Sequence, residues 1–113
     1  MAQCFLLVDA DRNFREALAI ALRLDGHRVE VCVGADEALA RLAAGGVDCC
    51  LVDAHMPGAD EVLAAATAAG ARPVMTGPYA DVLEQAARRH PAATALPKPF
   101  RAAELADAGR AAH

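Results

Sequence analysis

Tryptophan is absent, tyrosine occurs once, and aromatic residues make up only 4% of the 113-residue chain. So few flat rings leave little to sandwich a flavin-like cofactor, and no phosphate-cradling glycine loop follows the first apolar run. Positive charge is also scarce: 11 Lys and Arg against 15 Asp and Glu give a net charge of −4. With no basic run to track phosphates, a nucleic-acid surface is excluded. No apolar segment approaches the ~18–20 residues that span a bilayer, and the N-terminus lacks the basic region of a signal peptide. A cytoplasmic protein that makes no membrane contact is expected. C-x-x-C spacing is missing too. Cys4, Cys32, Cys49 and Cys50 all fall in apolar runs, which predicts buried free thiols in a reducing compartment; a metal or redox role is a remote second. There is no linker, repeat or low-complexity tract, and the length suits a single domain over residues 1–113.

What the chain does have is apolar bulk, 56% of residues, much of it alanine. Small side chains suit helices packed closely on a sheet. The organising stretch is Cys49-Cys50-Leu51-Val52-Asp53-Ala54-His55-Met56-Pro57-Gly58. An apolar run closed by turn residues reads as a strand, Val47 to Asp53, buried on both faces of a parallel sheet. Asp53 then sits where the strand gives out, and Pro57 and Gly58 fold the chain over it as a loop. Taken alone, Asp53 could equally cap the next segment.

The rest of the chain alternates in the same way. Cys4–Val8 is a buried strand running into Asp9-Ala10-Asp11. A helix follows over Asn13–Leu24, with Phe14, Ala17, Leu18, Ala21 and Leu22 inward and Arg12, Arg15, Glu16 and Arg23 mostly off that stripe; Asp11 or Asn13 is the N-cap and Gly26 the stop. Arg28–Val33 alternates as an outer strand. Ala35–Ala44 is a helix with Leu39 and Leu42 inward, and Asp60–Ala69 is a third helix. Arg72–Thr76 is a short strand, Ala80–Arg89 a helix burying Val82, Leu83, Ala86 and Ala87, Ala93–Leu96 a weak strand, and Arg101–Arg110 the last helix. Five strand–helix units with short connections predict an α/β doubly wound sheet.

In such a sheet all strands end on one edge, where ligands collect. That edge gathers Asp9, Asp53, Thr76-Gly77 and Lys98-Pro99. Clustered carboxylates call for a cation, and oxygen ligands on a hard, partly hydrated site favour Mg²⁺ over zinc. Lys98 can stabilise the Asp53 anion or hold an incoming phosphoryl oxygen, Thr76 can donate to that same oxygen, and Gly77 leaves room for the group. The set suits phosphoryl transfer to a carboxylate nucleophile.

With Leu6-Leu7-Val8-Asp9, Leu51-Val52-Asp53-Ala54-His55-Met56-Pro57 followed by Asp60, Met75-Thr76-Gly77 and Lys98-Pro99-Phe100 in order, the whole chain closely resembles the receiver domains of two-component response regulators. The resemblance implies a flavodoxin-like (βα)5 fold, a five-stranded parallel sheet with helices on both faces. It implies phosphorylation on Asp53 by a histidine kinase or phosphotransfer protein, and signalling to a downstream protein target by contact, without turnover catalysis. By the same likeness Asp9 belongs to the acidic pocket, Thr76 is the switch hydroxyl and Lys98 the phosphate-binding lysine. Lys98-Pro99 would be the family's cis peptide, and the His55 carbonyl would join Asp9 and Asp53 in holding Mg²⁺. The chain stops after its fifth helix, so no output domain is expected.

The departures from that pattern define the alternative. Ala10 stands where the family usually has a second, metal-binding acid, which implies weakened Mg²⁺ binding. Ala95 replaces the aromatic switch residue, Glu61 replaces a glycine, and the fourth strand falls about two residues short of the family's usual length. The alternative is a pseudo-receiver that binds proteins constitutively, without phosphorylation. Among other residues, Asp11 reads as a cap and Tyr79 and Phe100 as packing residues; nothing in the sequence gives Tyr79 the switch role. His90 and His113 read as surface histidines. His55 reads either as a residue steering water at the acyl phosphate or as a solvated side chain. A soft-metal site from Asp9, Asp53 and His55 is improbable.

Overall fold

The computed structural model describes residues 2–110; His113 lies outside them. The elements run β1 (Cys4–Val8), α1 (Arg12–Leu24), β2 (Arg28–Cys32), α2 (Ala35–Ala43), β3 (Cys49–Asp53), α3 (Ala59–Ala68), β4 (Arg72–Gly77), α4 (Ala80–Arg89), β5 (Thr94–Pro97) and α5 (Ala102–Arg110). The strands form one parallel sheet in the order β2-β1-β3-β4-β5. This is the doubly wound sheet predicted by the alternation and the flavodoxin-like (βα)5 arrangement implied by the resemblance.

Strand periodicity sorts the core into two layers. Leu6, Val8, Cys50, Val52 and Met75 point to the side covered by α2, α3 and α4, where they meet Ala38, Leu42, Val62, Leu63 and Leu83. Phe5, Leu7, Leu51 and Val74 point the other way, onto Leu18 and Leu22 of α1 and Leu105 of α5. Both faces of β1 and most of β3 are therefore dry, so these strands read as unbroken apolar runs. Each fully buried Leu or Phe contributes about 1.5–3 kcal/mol. Edge strand β2 does not show the strict alternation expected of it: Val29 and Cys32 are buried on opposite faces, while Arg28 and Val31 are exposed at the sheet edge.

Several boundaries differ from expectation for local reasons. Asp11 is the α1 N-cap, its carboxylate accepting the Phe14 N–H at 3.2 Å, so α1 begins at Arg12. Val47 is buried but precedes β3, which starts at Cys49 once Asp48 has bonded the Cys4 N–H at 2.7 Å. Helix α3 begins at Ala59, directly after Gly58, whose φ of 82° ends the loop. Strand β4 extends one residue past Thr76 because the Gly77 carbonyl accepts the Lys98 N–H, and β5 correspondingly runs to Pro97. Strand β2 and helix α2 each end one residue early. On α1, Arg15 is buried rather than off the inward stripe, and Ala17 is exposed. Leu39, Val82 and Ala87 are only half-buried.

Candidate functional site

Parallel register brings the strand ends together. Asp53 pairs with Thr76 across β3 and β4, and the Ala54 N–H donates to the Thr76 carbonyl at 2.9 Å. On the other side β3 adjoins β1, which ends at Val8 and delivers Asp9. Lys98 directly follows β5, and the Lys98–Pro99 peptide beyond it is cis. Its Nζ lies 2.9 Å from Asp9 Oδ2 and 3.7 Å from Asp53 Oδ2, and 4.2 Å above the Phe14 ring. Phe14 is held in turn edge-on by Phe100, which makes Phe100 the packing residue it was expected to be.

Asp9 is 1% exposed, and its two oxygens are met differently, with Oδ2 paired to a charge without accepting a hydrogen bond. Oδ1 accepts the Asp11 N–H at 2.9 Å, while Oδ2 faces the lysine. The Asp9 carbonyl accepts a 2.8 Å bond from Nη1 of buried Arg15. A second cation thus braces the acidic loop from α1, a role the helical stripe gave no hint of. The Thr76 hydroxyl is fully buried and has no partner, so a donor waits beside Asp53 with nothing to bond.

Asp53 is more open, its side chain 16% exposed. Its Oδ1 accepts the His55 N–H at 2.9 Å, and the His55 ring returns over the same oxygen with Nδ1 3.5 Å away. That ring occupies the room expected above Gly77. A β-carbon built on Gly77 would lie 2.9 Å from Nδ1 of His55 and 3.9 Å from Asp53 Oδ1. Tyr79, 60% exposed rather than packed inside, meets the outer edge of His55 with ring centroids 5.1 Å apart.

The remaining candidates lie elsewhere. His90 is no bystander: its Nε2 pairs with Asp60 Oδ1 at 2.7 Å, beside Arg89 Nε at 3.3 Å, tying the end of α4 to the start of α3. The hydrogen bond from His90, helped by Arg89, holds the Asp60 carboxyl below its ordinary value. All four cysteines are free and buried, as expected. Burial pushes the Cys32 and Cys49 thiols up to about 12, and it raises Cys4 and Cys50 as well. Such thiols are poor nucleophiles and poor metal ligands. Ala95, on edge strand β5, is exposed.

For a cation, the pocket offers the carboxylates of Asp9 and Asp53, both oxygen donors; Ala10 adds none. Among the described residues, no three His, Cys, Asp or Glu side chains gather as ligands. This set suits a hydrated Mg²⁺ that keeps most of its waters, with one carboxylate fewer to hold it.

A doubly wound sheet whose C-terminal edge sets a half-open Asp against a buried Asp, a lysine and a free hydroxyl defines the phosphoacceptor class of signalling domain. The chain belongs to the response regulator receiver domain family, whose profile matches residues 5–110. It is 36% identical over 108 residues to a response regulator receiver protein of Anaeromyxobacter sp. (strain Fw109-5), covering 91% of this chain and 45% of that protein. The chain therefore spans less than half the length of that relative. Among solved structures, it is similar to a response regulator protein from Burkholderia pseudomallei with a phosphorylated aspartic acid, calcium ion and citrate. That match has 26% identity and a TM-score of 0.80 over 94% of this chain and 65% of the other. A receiver protein from Sinorhizobium medicae WSM419 shares the fold at a TM-score of 0.82 and 22% identity, covering 99% of this chain and 98% of that one. Receiver domains are phosphoacceptor modules that bind a divalent cation, meet a histidine kinase or phosphotransfer protein, and signal through protein contacts rather than by turnover catalysis. No helix among the described residues is long and apolar enough to cross a membrane.

Proposed function

We propose that the chain works as a single receiver unit in which Asp53 accepts the phosphoryl group. The observation that carries this reading is the position of Lys98 between Asp9 and Asp53, with Thr76, its hydroxyl unpartnered, paired to Asp53 across β3 and β4. An Asp53 oxygen attacks the phosphorus of a phosphohistidine. The new P–O bond forms as the P–N bond breaks, and the donor imidazole leaves with the electron pair. Lys98 and Thr76 bond the transferred oxygens, compensating charge where it builds. Mg²⁺, held by Asp53, the His55 carbonyl and Asp9, would supply further charge neutralisation. The Burkholderia pseudomallei relative, solved with a phosphorylated aspartic acid and a calcium ion, supports the assignment by analogy. A downstream protein then reads the modified domain by contact.

The specific observations favouring a constitutive, phosphorylation-independent module are Ala10 and Lys98. With one acid fewer, the lysine already offsets one of the two remaining negative charges, so the pocket has less need of a cation. Mass spectrometry after incubation with Mg²⁺ and a cognate kinase or acetyl phosphate separates the readings. A phosphoryl increment lost in Asp53→Asn is expected; an unmodified wild type would select the constitutive module.

A further inference from the structure

We propose that His55 and Tyr79 form a gate over Asp53 that a phosphoryl group displaces, passing the modification into the first turn of α4. The inference rests on Asp53 being the phosphoacceptor. The His55 ring fills the space over Gly77 with Nδ1 3.5 Å from Asp53 Oδ1, whereas Lys98 approaches the other oxygen, Oδ2, at 3.7 Å. A phosphoryl group reaching toward the Thr76–Gly77 edge meets that ring, so the ring must leave.

Its outer edge rests on Tyr79. Tyr79 is the residue from which α4 starts: its carbonyl accepts the Leu83 N–H at 3.2 Å, and no side chain caps the helix there. An uncapped helix start has little local bonding to hold it in one arrangement. Displacing His55 thus frees Tyr79 and with it the first turn of α4. Ala95, exposed on β5 and lacking a ring, offers no competing aromatic route.

Tyr79 is the sole tyrosine and tryptophan is absent, so intrinsic emission reads this one position. Acetyl phosphate with Mg²⁺ is added to the full chain, and mass and tyrosine emission are followed together. Transfer forms a P–O bond to Asp53 as the acetyl–phosphate P–O bond breaks, releasing acetate. The expected result is an emission change that rises at the rate of the mass increment and is absent in Asp53→Asn. In His55→Ala, which keeps the backbone carbonyl, modification should run several-fold faster with the emission change lost; His55→Asn serves as a second variant. A mass increment with unchanged wild-type emission overturns the gate and leaves the phosphoacceptor reading standing, as does an equal emission change in both His55 variants. No increment in wild type overturns both.

Discussion

Lys98 pairs more closely with Asp9 than with Asp53: 2.9 Å separates its ammonium from a carboxylate that is 1% exposed, against 3.7 Å to the more open acid. Removing the ammonium leaves a buried charge without compensation. Lys98→Met should therefore cost about 3 kcal/mol of stability at neutral pH, and adding Asp9→Asn should recover part of it. Urea midpoints of the single and double variants check this, and equal stability of Lys98→Met and wild type would sink it.

Ala10 is exposed directly after Asp9, at the position where the receiver pattern usually has a further acid. Restoring it as Ala10→Asp should tighten Mg²⁺ binding by roughly tenfold, since ligand charge sets affinity at such sites. Calorimetric titration of both proteins measures the gain. No change would mean that this position does not limit the metal.

Gly58 joins β3 to α3 at a φ of 82°, and a β-carbon there would sit 2.5 Å from Cβ of Ala35. Gly70 has nearly the same φ of 80° but open space around it. Gly58→Ala combines backbone strain with a steric clash and should cost about 3 kcal/mol, against about 1 for Gly70→Ala. Thermal unfolding of the pair isolates the packing contribution, and equal losses would refute the contact.

The Asp60 carboxyl titrates below its ordinary 3.8 in the folded chain, chiefly because of its bond from His90. Its contribution to stability is therefore complete above 3.8 and fades as pH falls through the lowered folded value. The side chain is 54% exposed, so solvent keeps the effect small. The urea-midpoint difference between wild type and Asp60→Asn should shrink on acidification through that range. A difference that stays constant with pH would assign the change to something other than this carboxylate.

Much of the molecule was legible because strand burial writes itself as apolar runs. Cys4–Val8 and Cys49–Val52 end where their runs meet an acid, and the parallel sheet then places Asp9, Asp53, Thr76 and Lys98 along one edge. What stayed hidden was set by contacts between elements. Arg15 sits next to the apolar stripe of α1, and only the position of the Asp9 carbonyl explains its burial. His90 follows a helix end, and nothing local shows that Asp60, 30 residues earlier, lies within reach. The His55 ring over Gly77 depends on a rotamer and on Tyr79 from another loop. Strand β5 was faint because it is a four-residue edge with half its positions exposed.

That faint edge leads directly into Lys98, the one lysine in the sequence. If β5 frays, Lys98 departs with it, and Asp9 is stranded in an apolar interior opposite another anion. Competence to accept phosphate and attachment of the outermost strand are then one cooperative event. Amide exchange at Lys98, whose N–H bonds the Gly77 carbonyl, should keep pace with loss of the pocket rather than with global unfolding.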